Sequence, residues 1–251
     1  VPTMGALHEG HFALIERARH SCDRVVVSIF VNPTQFGAGE DYSTYPRDEA
    51  GDLACCEERG VDLVFLPAVE EMYPEGFATS VEVGNLSRIL CGASRPHHFR
   101  GVTTVVLKLF LVVEPDVAVF GRKDAQQAIL VQRMVEDLAM DVDIDIVPTV
   151  REEDGLAKSS RNRYLSPRER DQAKAIFQAL TRGGNLVLQG KTSVEEVRSL
   201  VRKILLEHGI EEIEYVELLS YPSLEPPAVP GGRMLLGIAA HVGRARLIDN
   251  A

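Results

Sequence analysis

The sequence predicts an α/β chain: a Rossmann-like parallel sheet with helices on both faces, followed by a smaller α+β C-terminal domain. Three observations predict it. Short β-branched apolar runs alternate with helical spacings over residues 1–149. Those runs end in Pro, Gly or Asn-Pro, residues that stop strands. Beyond residue 149 the alternation gives way to two Ser-capped amphipathic helices and three closely spaced strand-like runs.

Residues 1–3 (VPT) read as the end of a strand, because a loop and a helix over 12–21 follow at once. The absence of that strand's earlier part predicts an N-terminal truncation of the natural protein. Residues 24–31 (RVVVSIFV) form a buried strand stopped by Asn32-Pro33, and 48–59 a helix closed by Gly60. A strand at 61–66 ends at Pro67. A buried helix over 101–113 stops before Pro115, and a short strand at 116–120 runs into Gly121. A long helix at 124–138 and a strand at 142–147, stopped by Pro148, complete the first domain, 1–149. In the second, 150–251, Ser166-Pro167-Arg168-Glu169 starts a helix that runs to about Thr181. A second helix spans 193–208, and strands fall at 214–219, 234–240 and 244–247.

Composition excludes several classes. The 251 residues are 45% hydrophobic and 25% charged, an ordinary globular mix. A net charge of −10 with no Lys/Arg tract argues against nucleic acid as a partner. The most apolar stretch, 102–113, is short and interrupted by Lys108, so no membrane span is expected. The start lacks a charged segment followed by an apolar one, so no signal peptide is expected. Cys22, Cys55, Cys56 and Cys91 show no CxxC spacing, which favours reduced thiols in a cytoplasmic protein over disulfides or zinc.

Five segments carry residues suited to chemistry. In PTMGALHEGH, His8 and His11 sit where a tight turn enters a helix, and helix N-termini favour phosphates. Gly10 lets a ring or ribose approach the backbone. A two-histidine metal site and a pair of plain surface histidines are rival readings of that segment. In FGRKDAQQ, Lys123 offers a compact cation, Asp124 an acceptor for ribose hydroxyls, and Gln127 an amide for a small polar substrate. A helix cap at Asp124 with an exposed Lys123 fits the same spacing. Lys158-Ser159-Ser160-Arg161-Asn162 can wrap a polyphosphate, Arg161 through forked hydrogen bonds, or form a solvated loop. VNPTQFG contains Gln35 and Phe36, and RPHHFRG contains His97 and His98.

In order and spacing these five segments resemble the pantothenate synthetase (pantoate–β-alanine ligase) family of the nucleotidyltransferase superfamily, from Val1 to about Asn250. The resemblance implies ATP-dependent condensation of pantoate with β-alanine through a pantoyl adenylate, with Mg²⁺ on the phosphates and a homodimeric enzyme. It implies that His8, His11 and Lys123 stabilise charge at the α-phosphoryl group, and that Ser159, Ser160 and Arg161 clasp the β- and γ-phosphates. Gly10 and Asp124 then serve the ribose, the Gly121 backbone lies near adenine, and Met4 and Lys158 complete the ATP site. Gln35, Gln127 and His98 bind pantoate, packed by Met4 and Phe36. Three positions depart from the family pattern. Lys158 stands where the family has Met, and Arg122 where an acidic residue is common. Gly51-Asp52 stands where adjacent carboxylates lie near the metal, so Asp52 is the metal candidate.

Overall fold

In the computed structural model, which describes residues 1–190 and 192–251, the β-branched run after Arg24 becomes the central strand of a parallel ladder. β1 (Pro2–Thr3), β2 (Val26–Ile29) and β3 (Leu63–Phe65) pair in that order. β4 (Val117–Gly121) and β5 (Asp143–Val147) form a second parallel ladder, in register over all five residues of each. β1 lies beside β4 without a ladder between them. A two-residue strand has few free backbone groups to offer a second neighbour, so the expected sheet is divided there.

Six helices accompany these ladders: α1 (Glu9–Ser21), α2 (Glu49–Glu58), α3 (Val69–Met72), α4 (Cys91–Ser94), α5 (His98–Val113) and α6 (Ala125–Asp137). Leu14, Ile15 and Ala18 of α1 share one apolar cluster with Val25, Val27, Cys56 and Val119. On β4 the next residue, Phe120, instead meets Phe110 of α5 edge-on at 6.4 Å. Successive strand side chains point to opposite faces, so helices cover β4 on both. α1 and α5 each start three residues before the positions that the apolar spacing predicts. For α1, His8 supplies the cap; nothing in the spacing reports a histidine cap. The short α3 and α4 lie in a stretch to which the sequence pattern assigned no element.

The chain divides into two units, Val1–Thr149 and Val150–Ala251. In the second, α7 (Pro167–Leu188) and α8 (Val194–Glu207) pack on an antiparallel sheet. Its strands are β6 (Ile213–Ser220), β7 (Met234–Val242) and β8 (Ala245–Asn250), paired in that order. Capping boxes Ser166/Glu169 and Ser193/Glu196 start the helices as expected. α7 outruns its predicted end at Thr181. It continues through Gly183, where a Cβ would lie 2.7 Å from Leu236 and 2.8 Å from Val201. That glycine serves close packing rather than helix termination. Among the described residues no helix is long and apolar enough to cross a membrane.

The loop carrying the Ser-Ser-Arg segment is pinned at its base. Arg151 bridges to Ala157 and donates to both oxygens of Asp249, at 2.6 and 3.0 Å. Its guanidinium also lies 4.5 Å from the Phe177 ring centre. Gly155, at φ +92°, packs so tightly on Phe177 that a Cβ would overlap the ring. The Asp249 side chain is 2% exposed and that of Arg151 is 21%. Asp249→Asn is therefore expected to cost about 3 kcal/mol, the low end for breaking a buried pair because Arg151 keeps some water. Urea denaturation reads this directly. An unchanged midpoint would mean that the pair does not anchor the loop.

Candidate active site

The segment between β1 and α1 is bent and held by side chains. Thr3 Oγ1 donates to the Ser28 carbonyl at 2.8 Å and accepts from the Gly5 N–H at 3.2 Å. Gly5 (φ +79°) and Ala6 (φ +49°) both adopt the left-handed conformation, which an alanine resists by roughly 1–2 kcal/mol. Asp52, from the first turn of α2 and 4% exposed, accepts from the Ala6 N–H at 2.8 Å and from the Leu7 N–H at 2.7 Å. A Cβ on Gly5 would stand 2.8 Å from Asp52 Oδ2 and 3.0 Å from Ile29. Both oxygens of Asp52, the residue expected near the metal, thus accept a hydrogen bond from this loop. Among the described residues no group of three His, Cys, Asp or Glu side chains could hold a metal ion.

That loop delivers the two histidines. His8 caps α1, its Nδ1 accepting from the Gly10 N–H at 3.1 Å. The His8 N–H donates in turn to Nδ1 of His11 at 3.3 Å, and the ring centres are 4.1 Å apart. With Nδ1 accepting, a neutral ring carries its proton on Nε2. Burial, then the charges of His8 and Lys123, push His11 down to about 3. His11 is therefore uncharged at physiological pH and presents an N–H donor.

Lys123 comes from the turn Arg122–Asp124 that follows β4, its side chain 20% exposed and its Nζ 3.8 Å from Asp124 Oδ1. Asp124 occupies the cap position of α6, yet its carboxylate makes no capping bond. Gly121 ends β4, and a Cβ there would meet nothing closer than Leu14 at 4.0 Å.

A second set of groups surrounds Gln35. Its Nε2 donates to the Met4 sulfur at 3.1 Å, and its Oε1 accepts from Asn32 Nδ2 at 3.1 Å. Its backbone carbonyl accepts from His98 Nδ1 at 2.9 Å and from Arg95 Nη2 at 3.2 Å. Arg95 also pairs with Glu40, Nε to Oε1 at 2.8 Å. Burial raises the Glu40 carboxyl, but the bonds and charge of Arg95 outweigh this and hold it below the usual range. Phe36 packs near Tyr42 and Tyr45. Gly101 lets α5 touch this turn, since a Cβ would lie 2.5 Å from the Thr34 carbonyl.

The paired glutamines of α6 separate by role. Gln126 is buried and fully engaged, accepting from the Cys91 N–H and donating to the carbonyls of Leu86 and Ile89. Gln127 makes no hydrogen bond among the described residues and is half-buried. The adjacent His97 is exposed and contacts Arg100 Nη2, so His98 is the histidine tied to Gln35.

In the second unit, Ser159 caps the short turn Ser160–Tyr164, its Oγ accepting from the Arg161 N–H at 3.3 Å. Ser160 is buried, and Asn162 Nδ2 donates to the Ala157 carbonyl at 3.0 Å. Lys158 pairs with Glu152 at 2.8 Å, so this cation faces a carboxylate of its own loop.

Direct bonds thus join Met4, Gln35 and His98, while ring contact and charge join His8, His11 and Lys123. Gly10, Phe36, Gly121 and Asp124 adjoin these groups along the chain, and no bond ties Gln127 to either. Sequence reasoning missed the loop role of Asp52 and the parts played by Asn32, Tyr73 and Arg95. Asn32 carried a signal, since Asn before Pro with Thr two residues on favours a side-chain-capped turn. Tyr73 carried none, because its partner lies 41 residues away.

Asp52→Ala would strand two buried N–H groups on a left-handed backbone, and a loss of about 2–4 kcal/mol is expected in denaturant unfolding. A loss below about 0.5 kcal/mol would show that the loop holds itself.

Comparison with known proteins agrees from end to end. The family described as pantoate-beta-alanine ligase matches residues 1–251. A pantothenate synthetase from Carboxydothermus hydrogenoformans is 51% identical over 251 residues, spanning 100% of this chain and 89% of its own. One from Thermotoga petrophila is 54% identical over 250 residues, with coverage of 100% and 89%. The crystal structure of pantothenate synthetase from Thermus thermophilus superposes with a TM-score of 0.96 at 50% identity, covering 100% and 91% of the two chains. That of a pantoate-beta-alanine ligase from Francisella tularensis, complexed with "Beta-gamma ATP" and beta-alanine, gives 0.81 at 34% identity, covering 100% and 87%. The chain belongs to the pantoate–β-alanine ligase family.

Proposed function

We propose that this chain joins pantoate to β-alanine at the expense of ATP, forming pantothenate, AMP and pyrophosphate through a pantoyl adenylate. The observation that carries the mechanism is the His8–His11 pair in tilted ring contact at the N-terminus of α1, with His11 neutral and under the charge of Lys123. Such a set binds and neutralises a polyphosphate without supplying a nucleophile, and this reaction needs none from the protein. The Francisella relative's complex with an ATP species and β-alanine supports the same substrates here.

In the first step a pantoate carboxylate oxygen attacks the α-phosphorus, and the bond to the β-phosphate oxygen breaks, releasing pyrophosphate. The Nε2–H groups of His8 and His11 and the Lys123 ammonium offset the charge that builds on the phosphoryl oxygens. Ser159, Ser160 and Arg161 hold the β- and γ-phosphates, with Lys158 beside them. Gly10 and Asp124 receive the ribose, and Met4 and the Gly121 backbone border the nucleotide. Gln35, Gln127 and His98 fix pantoate, with Met4 and Phe36 against its methyl groups. In the second step the β-alanine nitrogen attacks the activated carbonyl carbon, AMP leaves with the bonding electrons, and the amine sheds its proton. The chain's contribution is alignment and charge stabilisation.

The protein's donor set does not fit a resident Mg²⁺. Asp52 is committed to backbone N–H groups, and no cluster of metal ligands occurs among the described residues. Mg²⁺ would then enter with the triphosphate, whose charge it would offset. The reading includes a homodimer, on family resemblance, and a cytoplasmic setting, in keeping with four free cysteines.

The test is exchange of labelled pyrophosphate into ATP with Mg²⁺ and pantoate present and β-alanine absent. Exchange that requires pantoate is expected; exchange with another acid but not with pantoate would contradict the substrate assignment. Lys123→Ala should lower kcat at least about 100-fold while leaving the melting temperature in place. Gln127→Ala should raise the KM for pantoate and leave that for ATP alone. An effect of Gln127→Ala confined to ATP would move this residue out of the pantoate site.

A further inference from the structure

The bonds around Asn32 decide the polarity of Gln35. Asn32 is 1% exposed. Its Oδ1 accepts from the Thr34 N–H at 3.3 Å, from Thr34 Oγ1 at 2.9 Å and from the Tyr73 hydroxyl at 2.8 Å. Its Nδ2 donates to the Gly101 carbonyl and to Gln35 Oε1, each at 3.1 Å. A carbonyl only accepts, so the Gly101 contact identifies which end of the Asn32 amide is nitrogen. That assignment fixes the next amide. Gln35 turns its oxygen to Asn32, and its NH₂ faces away, meeting only the Met4 sulfur, a weak acceptor. Gln35 therefore greets an incoming group as a hydrogen-bond donor.

Tyr73 is the outer end of this chain. Its ring is held by Phe77 at 5.1 Å, Phe30 at 6.2 Å and Lys108 Nζ at 5.8 Å. Its oxygen also lies 3.3 Å from Thr34 Oγ1. Burial pushes the phenol up, so it keeps the proton that it donates. These contacts place a rigid donor on Asn32 from a segment outside the Gln35 turn.

We propose that the Tyr73 hydroxyl is a positioning residue for the acid substrate: acting through Asn32, it holds Gln35 with its N–H groups outward, so that the site selects a carboxylate or hydroxyl oxygen over a group that itself donates. The proposal rests on the assignment of Gln35 to pantoate.

The test is a double-mutant cycle on steady-state constants, with wild type, Tyr73→Phe, Gln35→Ala and the double variant. Phenylalanine keeps the ring contacts and removes only the hydroxyl. Tyr73→Phe is expected to raise the KM for pantoate about fivefold, the loss of one buried hydrogen bond, with the ATP KM unchanged and the melting temperature lowered by no more than a few degrees. In the Gln35→Ala background the same change should add nothing, because the relay then has no endpoint. A pantoate KM unmoved by Tyr73→Phe overturns the proposal. So does an increase that persists in full in the double variant, or one shared equally by ATP, since either shows Tyr73 acting elsewhere. Gln35→Ala with an unaltered pantoate KM would instead remove Gln35 from the pantoate site, and the relay would fall with that assignment.

Discussion

Two backbone N–H groups, those of Ala6 and Leu7, are held on one buried carboxylate, that of Asp52, and the first unit's chemistry is built outward from this grip. The loop it holds runs through two successive left-handed residues, a path that the chain would not keep unaided. Because the loop turns there, β1 can pair with β2 while α1 starts a few residues after β1 ends, its N-terminus carrying His8. The cost of burying Asp52 is met by charge-assisted bonds to groups that would otherwise lie unsatisfied. One interaction thus sets strand, turn and helix entry together.

The electrostatic consequence lies in the histidines. A chain of net charge −10 has to receive a polyanion. In the proposed function it does so locally, with a helix N-terminus, a neutral His11 donor and the Lys123 ammonium. His8 and His11 each use Nδ1 as an acceptor within the first turn, which puts the proton of a neutral ring on Nε2. A neutral His11 suits a site that also holds Lys123, because a second charged group in so small a space would be repelled by the ammonium. The proposed acid site is likewise uncharged: Gln35 and Gln127 would offer amides, and the cation Arg95 beside Gln35 is balanced by Glu40.

Much of this was legible in the sequence. β-branched runs closed by Pro or Gly located every long strand of the first unit, and Ser-x-x-Glu boxes located α7 and α8. Motif order alone pointed to the family that the comparisons then gave. What stayed hidden depended on long-range contacts. Gly183 reads as a helix stop until Leu236 and Val201 are placed against it. Asp52 reads as a metal candidate, and its grip on a loop 46 residues earlier is seen only when that loop folds onto it. The sequence singles out Gln127 as the substrate amide, but nothing in it shows that Gln126 beside it fastens the Leu86–Ile89 turn. Tyr73 belongs to a segment without periodicity, so no pattern could tie it to Asn32.

Burial and neighbouring charge keep His11 uncharged, and the bond its Nδ1 accepts leaves its proton on Nε2. Nitrogen-detected NMR of the histidine rings tests this most directly, titrating the folded enzyme from about pH 8 to about pH 5. The account predicts that His11 shows one protonated nitrogen, Nε2, and an unprotonated Nδ1 throughout, consistent with a pKa of about 3. A His11 ring that gains its second proton near the ordinary value of 6.5 would contradict it.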